Sequence, residues 1–148
     1  MIEAKQVNAI ADQMQYAMVP PARGSGLAVG VDAVHLPTFQ HELDAGGVRM
    51  LEKLFTAAEL DFCAGRVERL GARMAAKEAA LKALGTGMRG IRCPEVEVLS
   101  LASGQPRLRL HGAAGRRAAT LGLHRFRLSL CHEGELALAT VVADGCHA

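Results

Sequence analysis

The chain has 148 residues, the size of one domain, and half of them are apolar, which is enough for a hydrophobic core. Its net charge of +2 is nearly balanced, so the charge gives no indication of a nucleic-acid-binding protein. The four cysteines show no CxxC spacing, no apolar run is long enough to span a membrane, and no secretion signal opens the chain, so we expect a reduced protein of the cytoplasm.

The first predicted element is a short amphipathic helix. Apolar residues recur at roughly helical spacing between Ile2 and Met18, and Pro20-Pro21 with the glycines that follow would end the helix in a flexible link. We therefore divide the chain into an N-terminal extension, residues 1–26, and one domain, residues 27–148. This extension packs on the domain, mediates assembly, or is in part not native to the protein, and the sequence leaves the three open.

A short buried strand is predicted at Leu27–Asp32, and it ends on an acidic residue. By pattern alone, Asp32 is a turn aspartate or a helix N-cap, because a helix is predicted from Pro37 to Asp44. Gly46-Gly47 would stop that helix.

Two further helices follow. Thr56 and Glu59 form a T-x-x-E capping box, which predicts a helix through about Cys63. A long helix is then predicted from about Arg66 to Leu84, since alanine and leucine dominate it.

The second half of the chain alternates polar and apolar residues, which is typical of strands that are buried on one face. A helix is predicted at Gly112–Leu121. The predicted strands are Glu95–Leu99, Arg107–Leu110, Arg125–Cys131 and Leu136–Ala143. The fold class is α+β, with a mostly antiparallel sheet wrapped on the long central helix.

The end of the long helix, Arg73–Gly87, reads RMAAKEAALKALGTG and carries most of the ionisable groups of interest. Arg73 and Lys77 share one face, and Glu78 and Lys82 share another. The ordinary interpretation is a solvated helix with a Glu78–Lys82 pair. However, the alanines would let another segment or a ligand approach the backbone closely, and the GTG sequence could present backbone N–H groups to a phosphate.

Four segments, in this order and spacing, resemble the holo-acyl-carrier-protein synthases, the small 4′-phosphopantetheinyl transferases. They are GVDAV at Gly30–Val34, LFTAAEL at Leu54–Leu60, AAKEA with KALGTG at 75–87, and SLCHEGELALATVV at Ser129–Val142. The resemblance extends from about Leu27 to Ala143. It implies a 4′-phosphopantetheinyl transferase-like fold and an enzyme that moves the phosphopantetheine arm of coenzyme A to a serine of an apo acyl carrier protein.

The resemblance also implies a magnesium site and catalytic residues. Asp32 and Glu78 match the metal ligands of the family, and Mg²⁺ commonly binds through one or two carboxylates with phosphate and water oxygens. Lys82 would stabilise charge on the pyrophosphate as the bond breaks. The general base, which is either Lys82 or Glu78 acting through a metal-bound water, stays open.

Further residues are predicted to contact coenzyme A. By resemblance they are Arg73, Lys77, Gly85, Thr86, Gly87 and His132. A lone histidine at a strand end is more often a surface residue. His132 is included because the family commonly has a histidine at this place, near the nucleotide. A Cys131–His132 nucleophile is rejected, because neighbours on a strand point to opposite faces.

The match departs from the family at four positions. His35 and Thr38 replace a glutamate and an arginine of the segment that docks the carrier, Met74 replaces an aromatic residue, and Cys131 replaces a hydroxyl residue. The carrier is therefore open, with a fatty-acid carrier and one from a specialised pathway as rivals. A chain of this length resembles the class that assembles as a homotrimer with coenzyme A between subunits.

Two other functions remain alternatives at this stage. One is a non-catalytic module that binds coenzyme A or a carrier protein, and the other is an assembly protein that only packs against a partner. The outward arginines, Arg107, Arg109, Arg116, Arg117, Arg125 and Arg127, form an ordinary solvated face or attract an acidic partner. Nucleic acid is disfavoured because stacking aromatic residues are scarce.

Overall fold

The computed structural model describes residues 26–145. The predicted N-terminal helix therefore lies outside the described residues, and the division at residue 26 stays a prediction. Among the described helices, none has both the length and the apolar character that a membrane crossing requires.

Four α-helices, one 3₁₀ turn at Cys93–Glu95 and five strands make up the described part of the chain. The helices are α1 (Leu36–Leu54), α2 (Ala57–Cys63), α3 (Val67–Leu84) and α4 (Gly112–Thr120). The strands are β1 (Leu27–His35), β2 (Val96–Ser100), β3 (Pro106–Leu110), β4 (Arg125–Glu133) and β5 (Leu136–Asp144).

The strands form two antiparallel sheets. The larger sheet has the order β1-β5-β4, so the first and last strands of the domain are neighbours, and β2 and β3 form a separate hairpin. The predicted α+β class, with a long helix against antiparallel strands, is confirmed. The sequence pattern predicted one sheet, and the structure has two.

Helix α3 is the centre of the core. Its small residues are buried almost completely, and so are the alternating small residues of β5 that face it: Ala75, Ala76, Ala79, Ala80, Ala83, Ala137, Ala139, Val141 and Ala143. Small side chains on both surfaces let the helix and the sheet approach closely. Consequently, groups on β1 and α3 lie within hydrogen-bonding distance of each other.

Helix α1 differs from its prediction beyond the glycine pair. Gly47 has non-helical dihedral angles (φ 59, ψ −156), yet helix resumes after it and continues to Leu54. The glycine therefore interrupts the helix for one residue only, because the second segment gains its own apolar contacts through Met50 and Leu51. The predicted stop at Gly46-Gly47 is therefore confirmed by the break at Gly47, and the second helical segment, which continues to Leu54, was not predicted.

Candidate active site

The close contact between β1 and α3 depends on Gly30. A Cβ atom at this position would lie 1.8 Å from the carbonyl oxygen of Ala79, which is far inside van der Waals contact. Only glycine fits there. Two residues later on the same face of β1, Asp32 is thereby held directly against the charged face of α3.

Asp32 and Lys82 form an ion pair across this contact. The Lys82 Nζ atom donates to Asp32 Oδ1 at 2.8 Å and to the carbonyl oxygen of Val31 at 3.1 Å. The side chains of lysine and aspartate are only 11% and 12% exposed. Lys82 therefore pairs across the fold with Asp32, and the predicted solvated pair within the helix is replaced by a tertiary one.

Glu78 lies one helical turn before Lys82 and faces the same region. Burial raises the pKa of Glu78, and the nearby charge of Asp32 raises it further against the opposing effect of Lys82. Burial likewise raises the pKa of Asp32, although the hydrogen bond from Lys82 opposes it. Two carboxylates that burial desolvates, with the charge of one ammonium acting on both, form a site that a further cation would stabilise.

The donor set fits a hard divalent cation that completes its shell with other oxygens. Among residues 26–145, no three His, Cys, Asp or Glu side chains come together as a metal cluster. The side chains that could bind a metal at this place are therefore the two carboxylates of Asp32 and Glu78, and the other ligands would have to come from outside the protein. Mg²⁺ commonly binds in this way, with phosphate and water oxygens as the remaining ligands.

An open polar cleft of about 600 Å³ adjoins these groups. It is lined by Glu78, Lys82, Gly85, Thr86, Gly87, Arg89 and Arg117. Gly85 ends α3 in the left-handed conformation (φ 68), and Gly87 also has positive φ (54), which explains the glycines of the GTG sequence. The structure therefore brings five of the predicted site residues together around one cleft.

Arg117 and Arg89 are cleft residues that the sequence did not predict as such. Arg117 was assigned to the outward arginines, but its Nε atom donates to the carbonyl oxygen of Leu84 at 3.1 Å, and its side chain is half-buried. The sequence around Arg117 gives no sign of this contact, because α4 meets α3 only in the folded chain.

A second, smaller pocket of about 260 Å³ lies between α1 and α3. Its walls include Phe39, Met50, Leu54 and Met74, and Glu78 lines both this pocket and the polar cleft. Glu78 therefore lies at the boundary between a polar cleft and a mainly apolar one.

Lys77 does not reach the cleft. Its side chain is completely buried, and its Nζ atom donates to Glu59 Oε2 at 2.8 Å and to the carbonyl oxygens of Cys93 and Val96 at 3.2 and 2.6 Å. All three N–H donors of the ammonium are used, and burial lowers its pKa despite the charge of Glu59. The predicted phosphate contact of Lys77 is corrected to a structural ion pair in the core.

Arg73 is also buried on the side of α3 away from the cleft. Its Nη2 atom donates to the Ser100 hydroxyl at 2.8 Å, and its guanidinium lies 4.2 Å from the ring centroid of Phe62. Its Nε atom has no hydrogen-bond partner among the described residues. Within one copy of the chain, the predicted phosphate contact of Arg73 is replaced by these structural contacts.

The family comparison can now be set beside this geometry. The sequence model of the 4′-phosphopantetheinyl transferase superfamily matches residues 28–141, which is most of the chain. The chain belongs to this superfamily. A holo-[acyl-carrier-protein] synthase of Herpetosiphon aurantiacus is 41% identical over 126 residues, which cover 80% of this chain and 99% of that relative.

Solved structures of related enzymes share the fold. The holo-[acyl-carrier-protein] synthase of Neisseria meningitidis is 31% identical, with a TM-score of 0.72, and the comparison covers 79% of this chain and 97% of that one. The ACPS–CoA complex of Chronobacterium ammoniagenes is 28% identical, with a TM-score of 0.73, and covers 82% and 98% of the two chains. The sequence-based assignment to the family is confirmed.

In this superfamily member, His132 lies apart from the cleft. It is exposed on β4, which is separated from β1 by β5, so two interstrand steps of about 4.8 Å lie between the strand of Asp32 and the strand of His132. His132 does not line the polar cleft. Its predicted role in coenzyme A binding stays a prediction.

The two departures in the docking segment have a local structural role. His35 caps α1: its Nδ1 atom lies 2.7 Å from Thr38 Oγ1 and accepts from the Thr38 backbone N–H at 3.4 Å. His35 Nε2 is also 3.5 Å from Glu135. The histidine and threonine thus stabilise the start of the helix at the rim of the apolar pocket.

Proposed function

We propose that the chain transfers the 4′-phosphopantetheine arm of coenzyme A to a serine of an apo acyl carrier protein, in a reaction that depends on Mg²⁺. The observation that carries this proposal is that Glu78 and Lys82 line the same cleft as the GTG segment, with Asp32 paired to Lys82 beside it. The names of the relatives and the coenzyme A complex of one of them support the donor and the acceptor.

Asp32 and Glu78 are the residues that would hold the metal. Bound there, Mg²⁺ would neutralise negative charge on the pyrophosphate of coenzyme A. Burial raises the pKa of both carboxyls, and the charge of Asp32 raises the pKa of Glu78 further. A cation at the site would favour the charged form of both and offset their repulsion, which supports this assignment.

The transfer breaks the bond between the bridging oxygen of the pyrophosphate and the phosphorus that carries the pantetheine. The serine oxygen forms the new bond to this phosphorus, the nucleotide leaves as adenosine 3′,5′-bisphosphate, and the serine proton passes to a base. Lys82 would stabilise charge on the leaving phosphate. The base is Glu78, acting through a water, or Lys82.

The nucleotide half of coenzyme A would occupy the polar cleft. Gly85, Thr86 and Gly87 line it. The N–H groups of Gly85 and Thr86 donate to the carbonyl oxygens of Lys82 and Leu81 at the end of α3, so the Gly87 N–H and the Thr86 hydroxyl are the groups of this segment that would meet a phosphate oxygen. The pantetheine arm would then extend past Glu78 toward the apolar pocket.

We further propose that the chain forms a homotrimer in which coenzyme A binds between subunits. Leu27 and Val29 are 55% and 47% exposed on the face of the larger sheet that points away from α3, which is an apolar surface that a second copy would cover. His132 stays a proposed coenzyme A contact, although it lies on the opposite face of this sheet, beside the buried Ala137.

The proposed reaction requires a carrier protein but does not specify which one. We place the activity in the cytoplasm, within fatty acid biosynthesis or a specialised pathway. Thr38, in place of a docking arginine, favours a carrier whose docking differs from that of the housekeeping protein. The same departure is what would favour the rival function, a non-catalytic module that binds coenzyme A or a carrier.

Intact-protein mass spectrometry tests the proposal directly. The protein is incubated with coenzyme A, Mg²⁺ and a panel of apo carrier proteins, with and without a chelator. The expected result is a chelator-sensitive mass gain of one phosphopantetheine arm on at least one carrier. If coenzyme A binds and no carrier gains mass, the proposal is wrong and the binding module is favoured.

A further inference from the structure

The polar cleft has a second cationic centre at the end of α3. Arg117 reaches it from α4, and the bond from its Nε atom to the carbonyl oxygen of Leu84 fixes the guanidinium at the negative, C-terminal end of the helix. Among the described residues, this is the only hydrogen bond of Arg117, so its two terminal nitrogens remain available to a ligand. Arg89 lines the same cleft and is exposed.

This centre is separate from the one where the bond breaks. Leu84 lies six residues beyond Glu78, which corresponds to about 9 Å along the helix axis. Asp32 and Lys82 belong with Glu78. A ligand that spans the cleft would therefore meet the carboxylates and the lysine with one part and the two arginines with another.

The chemistry of the second centre suits a phosphate group. A guanidinium presents parallel N–H groups that match phosphate oxygens, and an arginine already held by its Nε atom loses less conformational freedom on binding. Glu78 is the only acidic side chain among the residues lining the cleft, and it lies at the other end. Coenzyme A carries a phosphate apart from its pyrophosphate, on the 3′ position of the ribose.

We propose that Arg117, with support from Arg89, binds the 3′-phosphate of coenzyme A and makes this chain select coenzyme A over dephospho-coenzyme A. The inference rests on the proposed function for the identity of the donor. It assigns to Arg117 and Arg89 the phosphate recognition that the sequence had assigned to Arg73 and Lys77.

Calorimetric titration with nucleotides tests the inference without any transfer. The wild type is expected to bind adenosine 3′,5′-bisphosphate more tightly than AMP. Arg117→Gln should weaken binding of the bisphosphate by about 10- to 100-fold and leave AMP nearly unchanged, since one charged hydrogen-bonded contact is lost. Arg116→Gln is the matched control, because Arg116 is the exposed neighbour on α4 and does not line the cleft.

Two further variants separate ligand binding from helix capping. Arg117→Lys keeps the charge and a donor for the Leu84 carbonyl but loses the paired N–H groups, so the preference for the bisphosphate should fall while the melting temperature is retained. Arg89→Gln changes an exposed side chain and should reduce the preference by a smaller factor. Both remain informative if Arg117→Gln does not fold.

The inference is overturned if the wild type binds the bisphosphate and AMP equally, or if Arg116→Gln and Arg117→Gln weaken binding alike. Transfer assays distinguish its failure from that of the proposed function. If the enzyme is active and uses coenzyme A and dephospho-coenzyme A equally, the inference is wrong and the proposed function stands. Selective nucleotide binding without transfer to any carrier sinks the proposed function alone.

Discussion

The Lys82 ammonium lies 2.8 Å from Asp32 Oδ1 and joins helix α3 to strand β1 beside Glu78. The two residues are 50 positions apart in the chain, and both side chains are almost buried. Their ion pair sets the position of one proposed metal ligand relative to the other. The structural contact and the proposed chemistry therefore depend on the same lysine.

The two carboxylates should be essential for transfer. We expect Asp32→Asn and Glu78→Gln each to reduce the transfer rate by about 10²- to 10³-fold, the loss typical of one group that stabilises the transition state, while the fold is retained. Initial rates over a range of Mg²⁺ concentrations measure this. Asp44→Asn, which alters an exposed carboxylate on α1, is the control. Full activity of either variant at limiting Mg²⁺ would contradict the metal assignment.

Removal of the lysine should destabilise the fold as well as slow the reaction. In Lys82→Met, Asp32 and Glu78 remain desolvated without a cation, so we expect a loss of about 3 kcal/mol in the free energy of unfolding. Mg²⁺ should restore part of it, because the ion replaces the missing charge. Urea denaturation with and without Mg²⁺ measures both effects. An unchanged stability, or one that Mg²⁺ does not affect, would show that the pair is not coupled to a metal site.

Local patterns predicted most of the fold because the interactions behind them are local. The capping box is an example: Thr56 and Glu59 cap each other across three positions, and the structure shows both hydrogen bonds. The alternating strands of the second half were predicted in the same way. At Gly47 the local rule also held, since the helix breaks there, but the pattern did not predict the second helical segment that continues to Leu54.

The site was less predictable because its contacts are distant in sequence. Pattern alone made Asp32 a capping residue, and only the resemblance to a family gave it a site role. Lys77 was predicted to contact coenzyme A, but its partners in the structure lie 16 to 19 positions away on other parts of the chain. Arg117 meets the Leu84 carbonyl across 33 positions. Neither contact has a signature in the sequence near the residue.

Lys77 should matter for stability and not for coenzyme A binding. In Lys77→Met, Glu59 keeps its bonds from the backbone N–H groups of Thr56 and Val98 but loses the ammonium, and we expect a loss of about 3–5 kcal/mol. The double variant Lys77→Met/Glu59→Gln should lose less than the sum of the single losses. Chemical denaturation gives the stabilities. If the folded variant has an altered affinity for coenzyme A, the sequence-based prediction of a phosphate contact for Lys77 is supported.

The carboxylate of Glu97 should make stability depend on acid pH. Burial raises its pKa, but hydrogen bonds from His111 (2.7 Å) and Thr56 (3.0 Å) outweigh this, so the pKa lies below its usual value. A carboxyl with a depressed pKa stabilises the fold above its unfolded pKa, and this contribution disappears as the pH falls through the folded value.

We therefore expect Glu97→Gln to melt at a lower temperature than the wild type at pH 7, with the difference closing as the pH falls below about 4. Thermal unfolding between pH 7 and pH 3 measures it. Glu52→Gln, an exposed residue of α1, is the control and should show no such trend. A constant difference across this range would mean that the charge of Glu97 is not what stabilises the contact.

Gly30 should link the packing of the core to the reaction. In Gly30→Ala the new methyl group meets the Ala79 carbonyl oxygen, which belongs to the backbone of α3 and cannot rotate away. We expect a loss of about 1–3 kcal/mol, the range for overpacking, and a lower transfer rate because Asp32 moves with β1. Gly115→Ala is the matched control: its new Cβ lies 3.4 Å from the nearest atom, and alanine favours helix α4. Denaturation and transfer rates are compared for both variants at a temperature where each is folded. If Gly30→Ala is as stable and as active as Gly115→Ala, the close approach of β1 to α3 does not position Asp32.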